Sequence, residues 1–71
     1  MKTIKIGNWI VKYPKEYFAD RYFSDGSTIL TILDKLGYEK ARIILGKSIK
    51  IENYKNIKLK ISKNGRTIYE N

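Results

Sequence analysis

The sequence predicts an α+β fold: an N-terminal β-hairpin, one or two short helices, then a four-stranded antiparallel meander packed on the main helix and curling toward a small barrel. Three observations predict it. A Gly7-Asn8 dipeptide separates two alternating runs, aliphatic residues recur at helical spacing between Ser27 and Gly37, and beyond Gly37 the apolar pattern has period 2. Residues 1–71 read as one small domain whose core is thin, since a chain of this size buries only roughly 60 % of its unfolded surface.

The hairpin comes first. Gly7-Asn8 suits a two-residue II′ turn with glycine leading, which pairs Ile6 with Trp9 and Ile4 with Val11 on one face. Pro14 ends the second strand, because it has no N–H for a ladder and fits the first turn of a helix. Lys15 to Phe23 then reads as a short helix with Phe18 and Tyr22 at i, i+4, packing at the sheet end beside Trp9. Ser24-Asp25-Gly26 breaks it.

The main helix is predicted from Ser27 to Gly37. Ile29, Ile32, Leu33 and Leu36 share one stripe, Ser27 stands at the N-cap, and Gly37 takes the left-handed position that stops the helix.

Parity sets the register of the meander that follows, because opposite residues in an antiparallel pair point the same way. A three-residue Gly46-Lys47-Ser48 loop pairs Leu45 with Ile49 and Ile43 with Ile51. A second one, Tyr54-Lys55-Asn56, pairs Ile51 with Leu59, Ile49 with Ile61 and Glu52 with Lys58. Asn64-Gly65, an I′ dipeptide, pairs Ile61 with Ile68 and Ser62 with Thr67. The apolar face is then Ile43, Leu45, Ile49, Ile51, Leu59, Ile61 and Ile68, which the helix covers. The other face carries Arg42, Glu52 and Lys58 in one row and Lys50, Lys60 and Tyr69 in the next.

Charge is the most informative part of the composition. The net charge is +8, and it is uneven: residues 41–66 carry eight cations against Glu52 alone, whereas residues 14–40 carry four against five carboxylates. Lysine outnumbers arginine twelve to three, which favours charge-based phosphate contacts over bidentate base reading. Without histidine or cysteine the chain has no imidazole or thiol chemistry, no disulfide and no zinc-type ligand set, so a non-enzymatic protein without cofactor or metal is expected. No apolar run approaches the roughly 20 residues of a membrane span, and the N-terminal stretch lacks the apolar core of a signal peptide, so a cytoplasmic location is expected.

Two functions follow from different residues. Nucleic-acid binding would use the basic strand face, with Arg42, Lys50, Lys58, Lys60 and Arg66 meeting phosphates and Tyr69 stacking on a base. A small inhibitor or regulator of viral or mobile-element type would instead grip an acidic or nucleic-acid-binding host protein, or pair as a homodimer, through Tyr17, Arg21 and Phe23.

Overall fold

A computed structural model describes all of residues 1–71, and it is all-β: eight strands in two antiparallel sheets, with no helix. The chain divides into two compact units, Met1–Lys15 with Asn56–Asn71, and Glu16–Lys55. With no helix present, none is long and apolar enough to cross a membrane.

In the first unit the strands are β1 (Lys2–Ile6), β2 (Trp9–Tyr13), β7 (Lys60–Lys63) and β8 (Arg66–Glu70), in spatial order β1-β2-β7-β8. The β1–β2 hairpin pairs Ile6 with Trp9 and Ile4 with Val11, around Gly7 at φ +57°. These are the pairs that a two-residue turn dictates. Val11 and Ile61 face each other across the centre of the sheet and are fully buried, as is Leu59; Tyr13 and Ile57 are buried as well.

The second unit is a meander of β3 (Phe18–Ser24), β4 (Ser27–Leu33), β5 (Glu39–Leu45) and β6 (Ile49–Glu52), in sequential order. Its inner face is Leu30 and Ile32 of β4 with Ala41, Ile43 and Leu45 of β5, all buried.

Both predicted helices are therefore corrected to strands. In β4, four of seven residues are β-branched (Thr28, Ile29, Thr31, Ile32), a bias that costs a helix side-chain freedom and suits a pleated sheet. The strand is central, and Thr31 on its other face is buried too. A central strand with apolar residues on both faces loses the strict alternation of a half-buried strand, and periodicity alone cannot then tell it from a helical stripe. Asp25-Gly26 does not break a helix but closes a hairpin, with both residues at positive φ (52° and 76°), the I′ geometry that Asp-Gly favours. Phe18 and Tyr22 are accordingly exposed, not packed at i, i+4. Leu36, assigned to the helical stripe, sits 76 % exposed in the β4–β5 loop.

Gly37 does adopt the left-handed region, at φ +89°, but in that loop. Asp34 organises it: its Oδ1 accepts from the Leu36 and Tyr38 N–H groups, both at 2.9 Å, and its Oδ2 pairs with Lys40 Nζ at 3.3 Å.

The expected four-stranded meander from β5 to β8 is corrected as well. β5 and β6 pair as expected, Leu45 with Ile49 and Ile43 with Ile51. The next pairing does not form, because β7 bonds β2, about fifty residues earlier, so Ile51 does not meet Leu59 nor Ile49 meet Ile61. At the β7–β8 hairpin Ser62 faces Thr67 as expected, but a bulge then pairs Ile61 with Tyr69 and leaves Ile68 43 % exposed. No single sheet curls into a barrel; there are two, each with two free edges.

Candidate nucleic-acid interface

The basic residues segregate by unit. Residues 1–15 and 56–71 hold eight cations against Glu70 alone, a net +7, whereas Glu16–Lys55 holds seven cations against six carboxylates, a net +1.

Alternation in the first unit turns Ile4, Val11, Ile61 and Tyr69 to one face, so Thr3, Lys5, Ile10, Lys12, Lys60 and Ser62 take the other. On that outer face one cross-strand row runs Thr3, Lys12, Lys60, Glu70, and the next runs Lys5, Ile10, Ser62, Thr67. Lys12 and Lys60 are direct partners in the β2–β7 register. Directly opposed side chains start about 4.5–5.5 Å apart at Cβ, close enough for like charges to repel. Burial continues to alternate before β7, with Ile57 and Leu59 buried and Lys58 exposed, which extends the basic face by one more lysine. The ion pairs Asp34–Lys40 and Glu39–Arg42 both lie in the other unit, so neither neutralises these lysines.

A second basic row crosses the hairpin end of the same sheet. Trp9 faces Lys63, and Lys63 faces Arg66. Lys63 Nζ stands 4.9 Å from the Trp9 ring centroid, a cation–π contact, and the Asn64 N–H donates to the Asn8 carbonyl at 3.1 Å, tying the two turns together. Lys63, Asn64, Arg66 and Ile68 line a cleft of about 360 Å³ there.

Comparison with protein families, curated proteins and solved structures returned no match.

Of the residues singled out from the sequence, Lys58, Lys60, Arg66 and Tyr69 belong to the first unit, Arg42 and Lys50 to the second. The row of Lys50, Lys60 and Tyr69 does not exist: Lys50 faces Ile44 in β5, and Tyr69 is half-buried on the face opposite Lys60. Arg42 is engaged elsewhere. Its Nη2 donates to Glu39 Oε1 at 3.0 Å and Glu52 is its cross-strand partner, so Glu39 first, by hydrogen bond and charge, pushes the guanidinium pKa up. The bulge at Leu33 puts Glu39 on Arg42's face, although they are three positions apart in the chain.

Tyr17 is half-buried, and Arg21 and Phe23 are exposed on β3. Lys5 and Lys12 are the basic residues that sequence reasoning left out. Their alternation with Ile4, Ile6 and Val11 marks them as outward-facing, but only the long-range β2–β7 pairing sets Lys12 against Lys60.

Proposed function

We propose that the chain is a non-enzymatic nucleic-acid-binding protein of the cytoplasm that grips phosphates through the outer face of β1, β2 and β7, with Lys5, Lys12, Lys58 and Lys60. The observation that carries this reading is the direct opposition of Lys12 and Lys60 in register. Stability alone disfavours such a pair, and a bound polyanion converts the repulsion into attraction. The neighbours support the same chemistry: Thr3, Ser62 and Thr67 are short hydroxyl donors suited to phosphate oxygens, and Glu70 is the one carboxylate on the face. Lysine ammonium groups are point charges without a planar fork, so recognition follows the backbone and tolerates sequence.

Four displaced counterions give a log-log salt slope of about −4 on duplex DNA and about −3 on a single strand. The test is titration of labelled oligonucleotides with two charge-matched double variants. Lys12→Glu with Lys60→Glu is expected to abolish binding, whereas Lys47→Glu with Lys50→Glu, the same charge change in the other unit, leaves most of it. Equal losses from both pairs would mean that net charge, not this face, attracts the oligonucleotide, and the proposal would fall.

A further inference from the structure

The two sheets have four free edges, β1, β8, β3 and β6, and three of them are blunted. β1 carries Lys2 and Lys5, β8 is bulged beside Ile68, and β6 is four residues long with Lys50 in it. Lysines, bulges and shortness are the usual devices that stop an edge from pairing with another chain. β3 has no bulge and is not short, and its only charges are one of each sign, Asp20 and Arg21. It is seven residues long, contains no lysine or proline, keeps an unbroken register with β4, and exposes Phe18, Tyr22 and Phe23, the last at 78 %.

Its free backbone groups can be assigned by parity. Ser24 and Ser27 flank a two-residue turn and so exchange both backbone bonds. By alternation Tyr22 and Asp20 also bond β4, and Arg21 and Phe23 turn their N–H and C=O groups outward.

We infer that β3 pairs antiparallel with β3 of a second copy, in a two-fold register centred on Tyr22. A two-fold axis through an antiparallel pair brings together residues whose numbers sum to an even value, because partners share a face. Centring on Asp20 opposes two carboxylates, and centring on Arg21 opposes two guanidinium groups. Of the three two-fold registers that pair five or more β3 residues, only the one centred on Tyr22 opposes no like charges. It sets Tyr22 against its own copy, Arg21 against the Phe23 ring of the second copy twice over, and Asp20 against the Ser24 hydroxyl. The backbone agrees, since Arg21 and Phe23, like Ala19, turn their bonds outward and so form the bonded pairs of this register. This inference does not depend on the nucleic-acid reading, which rests on the other unit.

Sedimentation of the full chain tests the association, and the chain's lack of cysteine makes its register testable too. Mass is expected to double with rising concentration. Tyr22→Cys places the only two thiols opposite each other in a non-bonded pair, with Cα atoms about 4.5 Å apart, inside the disulfide range. It should yield a covalent dimer on mild oxidation, while Asp20→Cys and Arg21→Cys form no disulfide-linked dimer. Because Tyr22→Cys also removes the central ring, a charge swap supplies an independent check. Phe23→Lys faces Arg21 of the other copy and should leave monomers, and adding Arg21→Glu should restore the doubled mass. A wild-type chain that stays monomeric at its solubility limit overturns the inference. So does cross-linking at Asp20→Cys or Arg21→Cys, or failure of the charge swap to restore the dimer.

Discussion

Lys12 and Lys60 are direct partners on adjacent antiparallel strands, and only Glu70, across from Lys60 on the far side, offsets them within their row. The arrangement separates stability from binding. Lys12→Glu replaces a repulsive cross-strand pair with an attractive one, which is worth roughly 0.5 kcal/mol. For a domain of this size that raises the melting temperature by about 2–4 °C. The same substitution should weaken oligonucleotide binding and reduce the salt slope by about 1. Thermal melts and titrations on one preparation check both signs. A variant that is both less stable and unchanged in binding would show that the lysine serves the fold.

Gly46 is held small by its neighbour. An added Cβ there would run into Ser27 Oγ and come within 3.3 Å of Ser27 Cβ, where the β5–β6 loop passes the start of β4. Gly46→Ala is therefore expected to cost about 1–2 kcal/mol through overpacking. In a Ser27→Gly background the obstacle is gone, and the same substitution should stabilise by about 0.4–1 kcal/mol through the unfolded chain. Urea unfolding of the four proteins in this cycle measures the coupling. Additive effects would show that the contact is slack.

The parts of the fold legible in the sequence are local. Gly7-Asn8 implied the pairs Ile4–Val11 and Ile6–Trp9, and the Gly46-Lys47-Ser48 loop implied Ile43–Ile51 and Leu45–Ile49; all four form. Two kinds of information were not local. A central strand such as β4, with apolar Ile29 and Leu33 half-buried on the face opposite buried Leu30 and Ile32, lacks the apolar-polar alternation that identifies a strand with one wet face, and so Ile29, Ile32, Leu33 and Leu36 could equally be read at helical spacing. The β-branched residues and Asp25-Gly26 were the signals that decide for a strand. The β2–β7 pairing joins residues about fifty positions apart, and no spacing encodes it.

The candidate site shows the same division. Lys58 and Lys60 were readable as outward-facing from their alternation with Leu59 and Ile61. Their neighbours were not, because the neighbouring strand proved to be β2 and not β6. Bulges made the remaining difference. One turns Tyr69 to the face of Ile61, and the other brings Glu39 to Arg42.

That second bulge builds a small polar cluster with a testable titration. The Tyr54 hydroxyl donates to the Glu39 carboxylate, and this bond, then burial and the charges of Glu39 and Glu52, push the phenol pKa up. A raised folded-state value means that the neutral phenol is favoured in the native chain. Its contribution is full below the ordinary tyrosine value and is lost as pH rises through the raised one. In Glu39→Gln the bond has a neutral acceptor and the repulsive charge is gone, so Tyr54 should titrate at lower pH than in wild type. Ring chemical shifts followed through the alkaline range report this directly. An unchanged titration would mean that burial, and not Glu39, raises the value.

Asp34 supplies the opposite sign at acid pH. The Tyr38 N–H bond is the largest influence, and with the Leu36 N–H and Lys40 it holds the carboxyl below its ordinary value against the opposing effect of desolvation. A lowered value means that the native loop favours the ionised form. The resulting stability is present at neutral pH and drains away as pH falls through the ordinary carboxylate range to Asp34's lower one. Asp34→Ala removes the acceptor for both N–H groups and the Lys40 partner together. It should unfold more easily than wild type at neutral pH, and the gap between them should narrow steadily on acidification. Asp34→Asn keeps an oxygen for the loop N–H groups but no charge for Lys40, so it should fall between the two at neutral pH and approach wild type in acid. Denaturant midpoints for the three proteins across the acid range decide the matter. A gap that does not change with pH would show that the loop needs the oxygen atom and not its charge.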